Sequence, residues 1–114
     1  MRTVVLGIET QSDLTRRILA TAKSRKVESD RISFESPGEL WRVLAPKRLE
    51  IVRAMTGAGP LTIREVARRV GRDFKAVHSD VTMLANTGVV QRTDSGAVEF
   101  PYDRVHVEFD IMAA

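Results

Sequence analysis

The 114-residue chain contains no cysteine. That excludes disulfides, thiolate redox sensing and cysteine-ligated zinc. Histidine is nearly absent too, with only His78 and His106. No serine-histidine-acid order or paired-carboxylate motif accompanies them, so no enzyme is expected. A metal-sensing repressor needs more soft ligands than this chain offers. Asp103, Glu108 and Asp110 could be imagined as a metal cluster, but strand alternation turns Glu108 and Asp110 to one solvated face. A glycine-rich phosphate loop is also missing, because Gly57-Ala58-Gly59 lacks the lysine and the strand context. The expectation is a protein without metal or cofactor. No run is apolar enough to span a membrane. Residues 1–30 lack the basic-then-apolar order of a secretory signal, so a cytoplasmic protein with no membrane partner is expected. There is no internal repeat and no low-complexity tract.

What is present is enough to fold. Hydrophobic residues make up 43% of the chain and charged residues 29%, a balance that supports a core rather than disorder. The length suits one small domain with an extension. Net charge is only +3, but it is unevenly spread. Residues 36–88 hold nine Lys/Arg against five Asp/Glu, residues 89–114 two against five, and residues 1–35 seven against five. The excess of positive charge falls on the middle of the chain, as contact with phosphates requires.

That middle carries the clearest pattern. In Leu61-Thr62-Ile63-Arg64-Glu65-Val66, Thr62 suits a helix N-cap and Glu65 can reach back to complete a capping box. Leu61 and Val66 occupy the positions of a hydrophobic staple. Ile63, Val66, Ala67 and Val70 make a helical inner face, and Gly71 ends the helix. A second helix is expected over 74–86, stopped by Gly88. Its Phe74, Val77, Val81, Leu84 and Ala85 cluster on one side. Lys75, Ser79, Thr82, Met83 and Asn86 lie opposite, with Ala76 beside them. His78 borders the apolar side and should pack or bond locally. Two helices joined by a few residues with glycine at the turn form a helix-turn-helix. Small polar residues and a cation near the N-terminus suit a helix that enters the major groove of DNA. The hairpin expected over Val89–Phe100, turning at Asp94-Ser95-Gly96, would then be a wing with Arg92 near its tip. The expected DNA contacts are Lys75, Ala76, Ser79 and Thr82 on the second helix, Arg72, Thr62 and Arg64 on phosphates, and Arg92 on the wing.

Upstream, Ser36-Pro37-Gly38-Glu39 opens another capped helix over about 37–45. Its apolar side is Leu40, Trp41, Val43 and Leu44, with Trp41 as a core anchor. Pro46 restarts the chain into a helix near 47–57, with Leu49, Val52 and Met55 turned inward and Arg48, Glu50 and Arg53 outward. Gly57-Ala58-Gly59-Pro60 is a turn. Thr3–Glu9 reads as a strand and Ser12 as the cap of a helix over about 13–26. Arg31–Glu35 reads as a short strand, and residues 104–111 alternate as a half-buried one. These strands need partners, either each other or a second subunit. The expected fold class is α+β: a winged helix-turn-helix at 36–114 with an N-terminal strand-helix-strand extension at 1–35. A homodimer is expected, because two-fold pairing doubles the contacts on a palindromic site. The terminal strands and the helix at 13–26 are the expected interface.

Residues 32–111 resemble the small bacterial and archaeal winged-helix proteins described as MarR- or ArsR-like DNA-binding proteins. The resemblance rests on Ile32-Ser33-Phe34-Glu35-Ser36, Pro46-Lys47-Arg48-Leu49-Glu50, Ile63-Arg64-Glu65-Val66-Ala67, Gly71-Arg72-Asp73-Phe74-Lys75-Ala76-Val77-His78-Ser79-Asp80-Val81 and the ending Pro101-Tyr102-Asp103-Arg104-Val105-His106-Val107-Glu108-Phe109. It covers about seven-tenths of the chain. The resemblance implies an antitoxin, encoded beside a small toxin of the TumE type, that also represses the shared operon. The partners expected are therefore operator duplex DNA, a second copy of the chain and a toxin protein. A stand-alone repressor, or a winged helix used for protein assembly or RNA binding, is the alternative. Salt-dependent binding to a palindromic duplex separates DNA binding from the assembly or RNA role.

Overall fold

Capping chemistry sets where the helices begin. The computed structural model describes residues 1–9, 15, 16, 19 and 30–113. The helix expected over 13–26 lies largely outside the described residues. Helix α1 (Pro37–Val43) starts where the Ser36 hydroxyl accepts from the Glu39 N–H at 3.1 Å. The Glu39 carboxylate accepts from the Glu35 N–H at 2.9 Å, one residue earlier than a capping box requires. Helix α2 (Pro46–Met55) has proline in its first turn, where the missing N–H costs nothing. Helix α3 (Ile63–Val70) starts at Thr62, whose hydroxyl accepts from the Glu65 N–H at 3.1 Å. It ends at Gly71, which takes the left-handed conformation, φ 66°. Three residues later α4 (Phe74–Asn86) begins, capped by Asp73 accepting from the Ala76 N–H.

The strands pair with one another. β1 (Thr3–Ile8) is central, parallel to β2 (Asp30–Phe34) on one side and to β5 (Arg104–Glu108) on the other. The expected boundary between residues 35 and 36 therefore runs through this sheet. Arg2 ties its end together: its guanidinium meets Asp30 at 2.8 Å and lies over the Tyr102 ring. The hydrogen bonds from Arg2 hold the Asp30 carboxyl below its usual range. A short hairpin, β3 (Gln91–Arg92) with β4 (Val98–Glu99), follows α4. Leu61 and Val98 exchange main-chain hydrogen bonds at 2.8 Å, which fixes the hairpin against the start of α3.

The described residues thus form an α+β fold of four helices and two small sheets around one core. Val4 and Leu6 of β1 share this core with Leu40 and Val43 of α1, Ile51, Val52 and Met55 of α2, and Val66 of α3. Val77, Val81 and Leu84 of α4 and Phe100 complete it. Each fully buried aliphatic or aromatic side chain contributes about 1.5–3 kcal/mol. Among the described residues no helix is long and apolar enough to cross a membrane.

Several expected orientations are corrected. Trp41 is not a core anchor: it is 51% exposed and meets Phe109 edge-on at 5.8 Å. Helix α1 is short, and Leu40 and Val43 already occupy its buried side. On α2 the inward stripe is 48, 51, 52 and 55, the i, i+3, i+4, i+7 spacing of one helical face. Leu49 is therefore exposed, while Arg48, expected outward, is drawn in. Phe74 sits at the first turn of α4, beyond the core, and is also exposed. Met83, expected outward, packs partly against the core.

Candidate nucleic-acid interface

Helix α4 is held from behind by one carboxylate. Asp80 accepts from Arg72 Nη2 at 2.9 Å and from Arg48 Nη1 at 3.2 Å. All three side chains are about four-fifths buried. Arg48 also donates through Nε to the Val43 carbonyl at 2.7 Å and through Nη2 to the Arg42 carbonyl. Asp80 thereby joins α4 to the start of α2 and the end of α1. The Arg72 Nη1 atom is buried without a partner. Arg72, expected to hold phosphate, points into this cluster instead, because a guanidinium this close to a largely buried carboxylate gains more by pairing than by exposure.

With its back held, α4 presents a stripe to solvent. Lys75, Ala76, Ser79 and Asn86 are exposed and Thr82 is half-buried. Positions 75, 79, 82 and 86 follow the i, i+4, i+7, i+11 spacing and so lie along one line of the helix. Lys75 sits in the first turn, adding its charge to the positive end of the helix dipole. The hairpin reaches the other end of the stripe. Arg92 is exposed and its Nη1 approaches Asn86 Oδ1 at 3.5 Å. It leans back toward α4 and does not stand at the hairpin tip, which is Asp94-Ser95-Gly96.

Helix α3 contributes at its N-terminal end. Thr62 and Arg64 are exposed, although the Thr62 hydroxyl is already occupied as the cap. The Arg64 guanidinium lies over the Phe74 ring, 4.8 Å from its centroid, and His78 touches the same ring at 5.8 Å. Phe74 is a platform that sets Arg64 beside the N-terminus of α4, a role its aliphatic neighbours concealed in the sequence. Further along α3, Arg68 and Arg69 meet Glu65 at 2.9 and 3.0 Å. Hydrogen bonds from Arg68 first, then Arg69, push the Glu65 carboxyl down to about 2. Glu65 thus serves these arginines and does not complete the capping box.

The structure therefore gathers Lys75, Ala76, Ser79, Thr82, Arg64 and Arg92 on or beside α4, leaves Thr62 at the neighbouring helix end, and withdraws Arg72. Asp80 was not singled out by sequence. Its signal was an acid bordering the apolar arc of a helix in an otherwise basic segment. Of the acids Asp103, Glu108 and Asp110, two are engaged elsewhere: Asp103 accepts from the Arg2 N–H, and Glu108 meets Arg31 and His106. Among the described residues no group of three or more His, Cys, Asp or Glu side chains gathers to hold a metal ion.

A family model described as HVO_A0114 matches residues 43–107. The match spans more than half of the chain, and the protein belongs to this family. It takes in α2, α3, α4, the hairpin and most of β5, so the whole candidate surface falls within it. No curated protein matches the chain.

Proposed function

We propose that this protein is a winged helix-turn-helix transcriptional regulator that binds operator DNA as a homodimer. The observation that carries the reading is the line of exposed Lys75, Ser79 and Asn86 with half-buried Thr82 on α4, flanked by Arg64 at one end and Arg92 at the other. A helix of this length is about 20 Å long, enough to lie in a major groove, and small hydroxyl side chains allow close approach to base edges. Arg64 and Arg92 are placed to meet phosphates on either side. Autorepression together with neutralisation of a TumE-type toxin is the role implied by resemblance to MarR- and ArsR-like proteins. It is tested separately, by co-expression with the product of the adjacent gene.

The test of DNA binding is a salt titration on the duplex upstream of the gene. Lys75→Ala and Ser79→Ala should each cost about 1–3 kcal/mol on the operator and little on random DNA. Both should leave stability within about 0.5 kcal/mol. Val81→Asp is the control for folding, since it buries an unpaired charge. Unchanged operator affinity in both alanine variants would make α4 structural. Absence of any salt-dependent duplex binding would favour a protein-interaction or RNA-binding role.

A further inference from the structure

Away from α4, the three-stranded sheet has β5 at one edge. Among the described residues no strand pairs with the outer side of β5. The Arg104 N–H donates to the carbonyl of Arg2, the residue just before β1. Main-chain groups alternate in direction along a strand, so those of Arg104, His106 and Glu108 face β1, and those of Val105 and Val107 face outward. An unpaired edge of this kind is a template for another strand. The residues on one side of it are apolar. Val107 is exposed, Ile111 and Met112 beyond it are 89% and 80% exposed, and Trp41 and Leu49 stand open nearby. A groove of about 470 Å³ runs from Leu44, Leu49 and Val52 to Val105.

The charges on β5 name the occupant. Arg104 and Glu108 lie on one face of the strand with His106 midway between them. Turn a second copy of the strand antiparallel about His106. Arg104 then faces Glu108 of the partner subunit on both sides of the axis, and Val105 faces the partner's Val107. The outward amides of Val105 and Val107 fall into register as mutually hydrogen-bonded pairs. Hydrogen bonding, charge and apolar contact are all satisfied by one register of the strand with itself.

We infer that β5 is the two-fold dimer seam of this protein, pairing antiparallel about His106 so that the two sheets become one. The partner's Ile111 and Met112 run on toward the Asp103–Arg104 end, where the apolar groove opens. This inference names the face for the dimer proposed above and rests on that reading.

The seam makes two demands that can be measured. Arg104→Glu alone, or Glu108→Arg alone, sets like charges opposite each other twice and should weaken self-association about tenfold or more. Mixed in equal amounts, the two variants regain both opposite-charge pairs, so the heterodimer should form while neither homodimer does. Secondly, His106 faces its own copy at a non-hydrogen-bonded position, where Cα atoms are about 4.5 Å apart. That separation lies within disulfide range, and the chain has no other cysteine to interfere. His106→Cys should form an intersubunit disulfide on mild oxidation, and Ser79→Cys should not. Sedimentation of the full chain at tens of micromolar reads the first demand, and non-reducing electrophoresis the second. A wild-type monomer at that concentration would overturn both the dimer and the seam. A dimer indifferent to the charge changes, with no His106→Cys cross-link, would overturn the seam alone.

Discussion

Asp80→Ala is the most informative perturbation of the fold that carries α4. The carboxylate takes two charge-assisted hydrogen bonds, from Arg72 at 2.9 Å and Arg48 at 3.2 Å. Such bonds are worth about 1.5–3 kcal/mol each. Removing one member of a fully buried ion pair costs about 3–5 kcal/mol. Here the partners keep 17–20% of their side-chain exposure, so water recovers part of that. Truncation also leaves two guanidinium groups facing one another, one of them already carrying an unpartnered nitrogen. The expected loss is about 2–4 kcal/mol. For a domain of this size a kilocalorie moves the midpoint by about 4 °C, so thermal denaturation followed by circular dichroism should fall by about 8–16 °C. Asp80→Asn retains an acceptor and should lose about half as much. Adding Arg48→Met to Asp80→Ala should recover part of the loss, because it removes a cation that no longer has a counter-charge. A loss below about 0.5 kcal/mol for Asp80→Ala would refute the reasoning and mean that the cluster is solvated.

Much of this architecture was legible because local chemistry specified it. Ser36 with Pro37, Pro46, Thr62 and Gly71 each mark a helix end by a mechanism confined to a few residues, and all of these helices lie where expected. The spacing of Val77, Val81 and Leu84 likewise fixed the buried side of α4. What was not legible depends on distant partners. Two apolar stripes were available on α2, one through Leu49 and one through Ile51. The choice was made by Arg48, whose head group is held by the Arg42 and Val43 carbonyls and by Asp80, 32 residues away. The parallel pairing of β1 with β2 joins residues 26 positions apart, and that with β5 residues 101 apart, which no local pattern encodes. Gly7 is a further case. A Cβ there would stand 2.5 Å from the Arg31 guanidinium, which crosses β1 at that point toward Glu108. The glycine reads as a mere weak point in a strand until that side chain is seen. Of the candidate surface, the helix and its outward stripe were legible, but the occupation of Arg72 was not.

The remaining predictions concern the charges on and around α3. Glu65→Gln releases Arg68 and Arg69 from their shared carboxylate, so affinity for random duplex should rise and its salt dependence steepen. Because the folded carboxyl is pushed from 4.5 to about 2, its contribution to stability is complete above pH 4.5 and lost as pH falls toward 2. The stability difference between wild type and Glu65→Gln should therefore narrow across that window, and a constant gap would mean that the ion pairs do not form in solution. The last prediction contrasts two arginines that look alike in the sequence. Arg64 is exposed over the Phe74 ring, whereas Arg72 is buried against Asp80. If Arg64 meets a phosphate, Arg64→Ala should weaken all duplexes alike and lower the salt slope by about one. Its stability should change by no more than the cation–π contact, about 0.5–1 kcal/mol. Arg72→Ala should do the reverse, because its charge is already committed. The salt slope should stay as it is, while the fold loses about 1–3 kcal/mol through the charge-assisted bond to Asp80. The two measurements, a salt titration and a thermal melt, are independent, so the variants separate along different axes. A fall of about one in the salt slope for Arg72→Ala, with an unchanged melting temperature, would show that Arg72 leaves Asp80 to bind DNA, and the phosphate role expected from sequence would be restored.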